Sequence, residues 1–180
     1  MHKIAKQPFD WSQLLHNKSP LVELFLGGIK ESYWSENQLV RTLLKLTNAA
    51  SSKELQYILH QHLERTKIHI TKLEQVFELL DEIIEARRSA SIAGLSIEAN
   101  EAIEYTDEGT ATRDLAIILV CQKIEQCEIA SYSGIIKLAV TLGREDVADK
   151  LAEIVDDEIA CNELLLNQSE IIPMKSVEES

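Results

Sequence analysis

Apolar residues recur along the chain at spacings of three, four and seven, which is the pattern of amphipathic helices packed on one face. The first such stretch starts at Ser19-Pro20, where a hydroxyl cap precedes a proline at the first helical position. It ends near Asn48 and predicts a helix over residues 20–48. Its predicted core positions are Phe25, Ile29, Leu39, Leu43 and Leu46.

Three further stretches predict long helices. The second opens with the capping-box pattern of residues 51–54 and runs into the 80s. The third spans about residues 112–142 and stops at Gly143, and the fourth spans about residues 145–167. Their predicted core positions are Leu55, Leu59, Leu63, Ile70, Leu73, Phe77 and Leu80, then Ile117, Val120, Ile124, Ile135 and Leu138, then Val147, Leu151, Ile154 and Leu165.

The segment between the second and third helices differs from the other connections. Residues 89–91 and 107–110 resemble loops, and they flank a short amphipathic piece over residues 92–103. Two helix hairpins joined by one long crossover are typical of ferritin-like bundles, whereas simple up-down bundles use three short loops. The sequence therefore predicts an all-α, ferritin-like four-helix bundle with a long crossover between its second and third helices.

The ends of the chain lack this periodicity. Residues 1–18 are predicted to form an N-terminal arm, in which Phe9 and Trp11 would pack on the bundle or on a partner subunit. Residues 19–170 would form the bundle, and residues 171–180, which contain Pro173, would form a flexible C-terminal tail.

Composition and charge support helices and exclude several functional classes. Only 6 Gly and 3 Pro occur in 180 residues, which leaves little material for a turn-rich β fold. The net charge of −12 argues against nucleic acid and anionic membrane surfaces as partners. Gly27-Gly28 lies within a helical pattern and is interpreted as a close-packing position rather than a phosphate loop.

Localisation follows from what the sequence lacks. The start of the chain has no apolar signal region, and its longest apolar run, residues 115–121, is far shorter than a membrane-spanning helix. The odd set of Cys121, Cys127 and Cys161 has no metal-binding spacing and predicts small core side chains in a reducing compartment. We therefore expect a cytoplasmic protein.

Three of the predicted helices place a glutamate within their apolar face. Glu36 lies seven residues after Ile29, while Glu128 and Glu158 each lie four residues after an isoleucine of their own seam. Burying an unpaired carboxylate costs several kcal/mol unless it is protonated, hydrogen-bonded or bound to a cation. Three converging carboxylates therefore favour a shared cation.

Histidines on the second helix extend this set. His69 lies on the inner side of that helix, with His62 two turns earlier, and Glu125 lies one turn before Glu128. Imidazole beside glutamate is the ligand chemistry of dinuclear iron or manganese sites in helical bundles. The predicted metal ligands are Glu36, His69, Glu125, Glu128 and Glu158, with iron or manganese as the cofactor.

Each of the four long helices carries a distinctive motif. The motifs are residues 24–26 and 33–39, His62-Leu63-Glu64 with Thr66, His69 and residues 72–78, residues 123–125 and 128–132, and Asp156-Asp157-Glu158. Together they resemble the YciF/YciE-like family of ferritin-like proteins. The resemblance covers about residues 20–170 and implies a homodimeric bundle, an association with stress responses and a dinuclear metal site for iron or peroxide handling.

The chain departs from the family pattern at four positions. Acidic or histidine residues are usual where this sequence has Arg65, Lys67, Gln126 and Asn162. Arg65 lies four residues before His69, so an inward guanidinium could bind Glu36 or Glu128 in place of a metal. Two hypotheses therefore stand, a metal-binding, redox-active protein and a metal-free structural or interaction bundle neutralised by Arg65.

Overall fold

Five helices make up the computed structural model, which describes the backbone of residues 19–178 and the side chains of residues 19–170. The predicted N-terminal arm with Phe9 and Trp11 lies outside the described residues. The helices are α1 (Pro20–Ala49), α2 (Lys53–Leu80), α3 (Ala90–Glu104), α4 (Ala111–Thr141) and α5 (Glu145–Glu178).

The four long helices form two hairpins. α1 packs along α2, and α4 packs along α5, while the 15-residue helix α3 lies in the long connection and packs on α1 and α4. This arrangement confirms the predicted fold class, an all-α bundle with a long crossover between the second and third long helices. Over the described residues, no helix combines the length and apolarity needed to cross a bilayer.

The helix boundaries follow local capping. Pro20 is the first residue of α1 as predicted, but the Ser19 side chain makes no capping hydrogen bond, so the predicted hydroxyl cap is wrong. Gly143, at φ +71°, lies in the turn between α4 and α5 as predicted. The N-cap of α2 is Ser52, whose hydroxyl accepts a hydrogen bond from the Leu55 N–H at 3.1 Å. The backbone N–H groups of Ser51 and Ser52 donate instead to buried Asp114 on α4, at 2.6 and 2.8 Å. Asp114 thereby ties the start of α2 to α4.

The predicted end of the fourth long helix near residue 167 is wrong, because α5 continues to Glu178. Proline removes one intrahelical hydrogen bond and bends a helix, but it does not have to end one. Pro173 was therefore a poor boundary signal. The flexibility of residues 171–180 stays a prediction.

Nearly all predicted core positions are buried, and the exceptions are Ile70 and Leu138, which are half-buried. In each case the next-door residue, His69 or Ala139, holds the inward position and is fully buried. Gly28 also meets its prediction, because a Cβ there would lie 2.9 Å from Ile135 Cγ1. Glycine thus permits a close approach of α1 to α4.

The bundle core consists of two apolar clusters with a polar layer between them. Along α1 one cluster includes Ile29 and the other begins at Leu39, and along α5 the same division falls between Ile154 and Cys161. The buried glutamates and histidines of the long helices lie in or beside this gap at mid-length. Apolar packing above and below therefore fixes the position of the polar layer.

Candidate metal centre

All five predicted ligands lie together in the polar layer. Each is at most 3 % exposed, and α1, α2, α4 and α5 all contribute. Buried His62 joins them from α2. Three groups bring possible ligand atoms within 4.8 Å of one another: Glu36, His69 and Glu158; His62, Glu128 and Glu158; and His62, Glu125 and Cys161.

His69 is oriented by an acid on its outer side. Its Nε2 lies 3.2 Å from Asp157 Oδ2, in hydrogen-bonding geometry, and Lys72 pairs with the same carboxylate. Its Nδ1 faces inward, 3.0 Å from Glu158 Oε1 and 3.5 Å from Glu36 Oε1. An outer carboxylate that holds one ring nitrogen and leaves the other for a cation is the usual support of a metal-ligating histidine.

His62 stands on the opposite side of Glu158. Its Nδ1 lies 3.1 Å from Glu125 Oε1, and its Nε2 lies 3.6 Å from Glu158 Oε2. Burial alone would lower the pKa of His62, but the Cys161 sulfur and Glu158 raise it to about 10. Burial likewise opposes protonation of His69, whereas Glu158 and Glu36 raise its pKa to about 10. These neighbours therefore favour the protonated form of both imidazoles in the metal-free protein.

The carboxylates respond unequally to the same surroundings. Burial opposes ionisation of Glu158, but His62 and His69 lower its pKa well below the usual range. Burial, together with neighbouring acids, raises the pKa of Glu125 and of Glu128 well above that range. Only one of the central acids is thus well stabilised as an anion without a further cation.

Many polar atoms of the layer have no hydrogen-bond partner within the described chain. Both ring nitrogens of His62 and Nδ1 of His69 lie close to carboxylates without hydrogen-bond geometry, as is expected of groups arranged around a common centre. These atoms are Glu36 Oε2, both ring nitrogens of His62, His69 Nδ1, Glu125 Oε2, and both oxygens of Glu128 and of Glu158. Their hard oxygen and imidazole chemistry fits iron or manganese.

The ligand pattern differs from the usual one at two positions. Dinuclear bundles use one glutamate from each of two helices and a Glu-x-x-His pair from each of the other two. Here the pairs are Thr66-x-x-His69 on α2 and Glu158-x-x-Cys161 on α5. Thr66 is buried and its hydroxyl donates to a backbone carbonyl, that of His62. His62 adds a second buried imidazole to the layer from α2.

Arg65 does not neutralise the interior acids. It is half-buried and forms no ion pair with any residue in the described part of the chain. Thr66, one residue further and about 100° around the helix, takes the inward position instead. Lys67 and Gln126 are both exposed, and Lys67 pairs with Glu64 at 2.6 Å. These three departures from the family pattern therefore lie outside the layer, and the fourth, Asn162, is half-buried beside Cys161 on α5.

Sequence reasoning missed two further members of the layer. Cys161 was interpreted as a core side chain, although it lies three residues after Glu158 on the inner face of α5. Tyr132 is almost fully buried, and its hydroxyl donates to Glu36 Oε1 at 2.6 Å. Its position four residues after Glu128 is the signal that could have identified it.

A cavity of about 190 Å³ reaches the layer from one side, between α1, the start of α3, and α4. It extends from the exposed residues Ser91 and Ser131 to the buried residues Glu128 and Tyr132. Most of its polar lining consists of serine side chains, with Glu31 held by Arg87 at 2.8 Å. The cavity offers small polar molecules a route to Glu128.

Comparison with known proteins places this geometry in a family. A family model described as a domain of unknown function, DUF892, matches residues 20–176. Protein YciF of Escherichia coli strain K12 is 37 % identical over 145 residues, which cover 80 % of this chain and 87 % of that protein.

Solved structures agree with the sequence match. The crystal structure of the E. coli stress protein YciF superposes with a TM-score of 0.83 at 34 % identity, covering 87 % of this chain and 99 % of that one. YcfI from Rhodopseudomonas palustris superposes with a TM-score of 0.78 at 31 % identity, covering 82 % and 93 %. The predicted resemblance to YciF is confirmed, and the chain belongs to the DUF892 family.

Proposed function

We propose that the chain binds two divalent metal ions, iron or manganese, in the polar layer of its bundle. The observation that carries this proposal is the convergence of fully buried carboxylate and imidazole atoms that have no hydrogen-bond partner within the described chain. Leaving such groups without a cation is costly, because each loses its hydration on burial. Bound cations would stabilise all of them together.

Each helix would have a defined part in holding the metals. Glu36 and His69 would bind one ion, and Glu158, which lies between His62 and His69, would bridge to the second. Glu128 and Glu125 would complete the set from α4. Asp157 would keep His69 Nδ1 aimed at the first ion.

Such a centre supports redox chemistry with small substrates. Iron held by these residues would supply electron transfer, accepting electrons from Fe(II) or donating them to peroxide. The serine-lined cavity would admit the small reactant to the Glu128 side, and Tyr132 would hold the proton shared with Glu36 Oε1. We therefore propose a ferritin-like protein that handles iron or peroxide.

The biological setting is proposed by analogy. The E. coli relative is described as a stress protein, and we propose a stress-associated, cytoplasmic role for this chain. Large apolar side chains exposed on the helices and connections, among them Tyr57, Ile83 and Tyr105, would support association as a homodimer.

A metal-free structural bundle is the second candidate. The raised pKa values of His62 and His69 favour it, because two imidazolium groups would offset part of the buried negative charge. A structural role has also been suggested for YcfI. In this alternative the histidines, rather than Arg65, would supply the cations.

Metal loading separates the two candidates. The full chain, stripped with chelator and then incubated anaerobically with Fe(II) or Mn(II), is expected to retain up to two ions per chain after gel filtration, as measured by elemental analysis. Glu163→Gln, at an exposed carboxylate of α5, is the matched control and should load like the parent. If the protein retains no metal ions after gel filtration, the metal-binding proposal is wrong and the structural bundle is favoured.

A further inference from the structure

Cys161 lies at one end of the polar layer and not in the surrounding apolar core. It is 3 % exposed, and its Sγ is 3.7 Å from Glu125 Oε1. Together with His62 and Glu125 it forms a group whose possible ligand atoms lie within 4.8 Å of one another. A thiol, an imidazole and a carboxylate thus converge at a single buried point.

This group shares no residue with the group at the other end of the layer. Glu36, His69 and Glu158 offer only oxygen and nitrogen atoms, whereas the Cys161 group adds sulfur. Sulfur donors favour softer cations such as Zn(II), and carboxylate-rich sets favour harder ones such as Mn(II). The two ends of the layer therefore differ in chemistry.

A second observation indicates a ligand at the sulfur end. Both ring nitrogens of His62 and one oxygen of Glu125 are buried without a hydrogen-bond partner within the described chain. The hydrogen bond from Cys161 satisfies only the other oxygen of Glu125. A tetrahedral cation at this point would use one ring nitrogen of His62 and the free oxygen of Glu125 together with the Cys161 sulfur, because zinc sites combine cysteine, histidine and carboxylate ligands.

We propose that His62, Glu125 and Cys161 form a thiolate-containing subsite that prefers Zn(II) over Mn(II), so that the two ends of the layer hold different metals. This inference rests on metal binding in the layer as proposed above. On binding, the Cys161 sulfur exchanges its proton for a bond to the metal, and the proton passes to solvent. The Glu36, His69 and Glu158 end would keep the harder ion.

Cobalt(II) reports this subsite directly, since it replaces zinc and its thiolate bond absorbs in the near ultraviolet. Metal-free full-length protein with two equivalents of Co(II) per chain under anaerobic conditions should show the thiolate-to-cobalt charge-transfer band. Cys161→Ser should abolish the band. Cys121→Ser and Cys127→Ser are matched controls that should retain it, because neither residue belongs to the group.

Metal competition provides a second readout. With Zn(II) and Mn(II) offered together, Cys161→Asp is expected to lower the bound Zn-to-Mn ratio by about tenfold or more relative to the parent, since oxygen replaces sulfur. Bound cobalt without the charge-transfer band, or an unchanged ratio, would overturn the thiolate subsite and leave the metal centre standing. Absence of bound cobalt in the elemental analysis would instead overturn the metal centre itself.

Discussion

Glu158→Gln is expected to weaken Fe(II) or Mn(II) binding by about 100-fold or more, the largest single effect in the layer. Glu158 lies between the two histidines, 3.0 Å from His69 Nδ1 and 3.6 Å from His62 Nε2. Loss of a supporting group behind a ligand already costs about 10- to 100-fold in affinity, so loss of a shared charged ligand should cost at least as much. Glutamine keeps the shape of the side chain but removes its charge.

Two control variants make this result specific. Asp157→Asn alters only the outer partner of His69 and should cause a smaller loss of affinity. Glu163→Gln changes an exposed carboxylate on the same helix and should cause none. The measurement is calorimetric titration of the chelator-stripped protein, with circular dichroism to confirm helix content. Equal affinity in the parent and Glu158→Gln would contradict a bridging role for Glu158.

Glu128→Gln is expected to stabilise the metal-free protein while weakening its metal binding. Glu128 is 3 % exposed, and neither of its oxygens has a hydrogen-bond partner in the described chain. On folding at neutral pH the carboxyl must be buried as an anion or take up a proton, which costs up to about 1.4 kcal/mol for each pH unit above 4.5, and the neutral amide avoids this cost. The free energy of unfolding in urea should therefore rise by about 1–3 kcal/mol at neutral pH.

The stability difference between Glu128→Gln and the parent should depend on pH, and the pKa of Glu128 gives the direction of that dependence. Burial, followed by the charge of Glu36, raises the pKa of Glu128 well above its ordinary value of 4.5. The folded metal-free protein therefore binds a proton that the unfolded chain releases above that value, and stability falls as the pH rises towards the folded pKa. The advantage of Glu128→Gln should shrink as the pH is lowered towards 4.5. A variant that is less stable than the parent at neutral pH would indicate that Glu128 has a protein partner.

Helical periodicity is sufficient to predict most of this fold. The positions from Phe25 to Leu46 on α1 are buried as their spacing requires, and Gly143 lies where the chain turns into α5. Core positions are predicted wrongly where two adjacent residues fit the apolar spacing equally well. Ile70 and His69 differ by one residue on α2, and periodicity alone favoured the apolar side chain, whereas the polar layer requires the imidazole.

The site could be predicted where a polar residue interrupts an apolar face, as Glu36 does. Cys161 interrupts nothing, because a buried thiol and a buried apolar side chain give the same pattern. Whether Arg65 or Thr66 faces the core depends on how α2 is rotated about its own axis, because neighbouring residues differ by about 100°. Tertiary packing determines that rotation. The inward position of Cys161 and the outward direction of Arg65 could therefore be identified only once the four long helices were placed relative to one another.

Anomalous diffraction from crystals of the Mn(II)- or Fe(II)-loaded protein tests the central claim most directly. Strong peaks are expected at the metal edge inside the bundle, between the carboxylates of Glu36 and Glu158 and the Nδ1 atom of His69. Anomalous peaks confined to exposed carboxylates, with hydrogen-bonded water or nothing between these side chains, would contradict it.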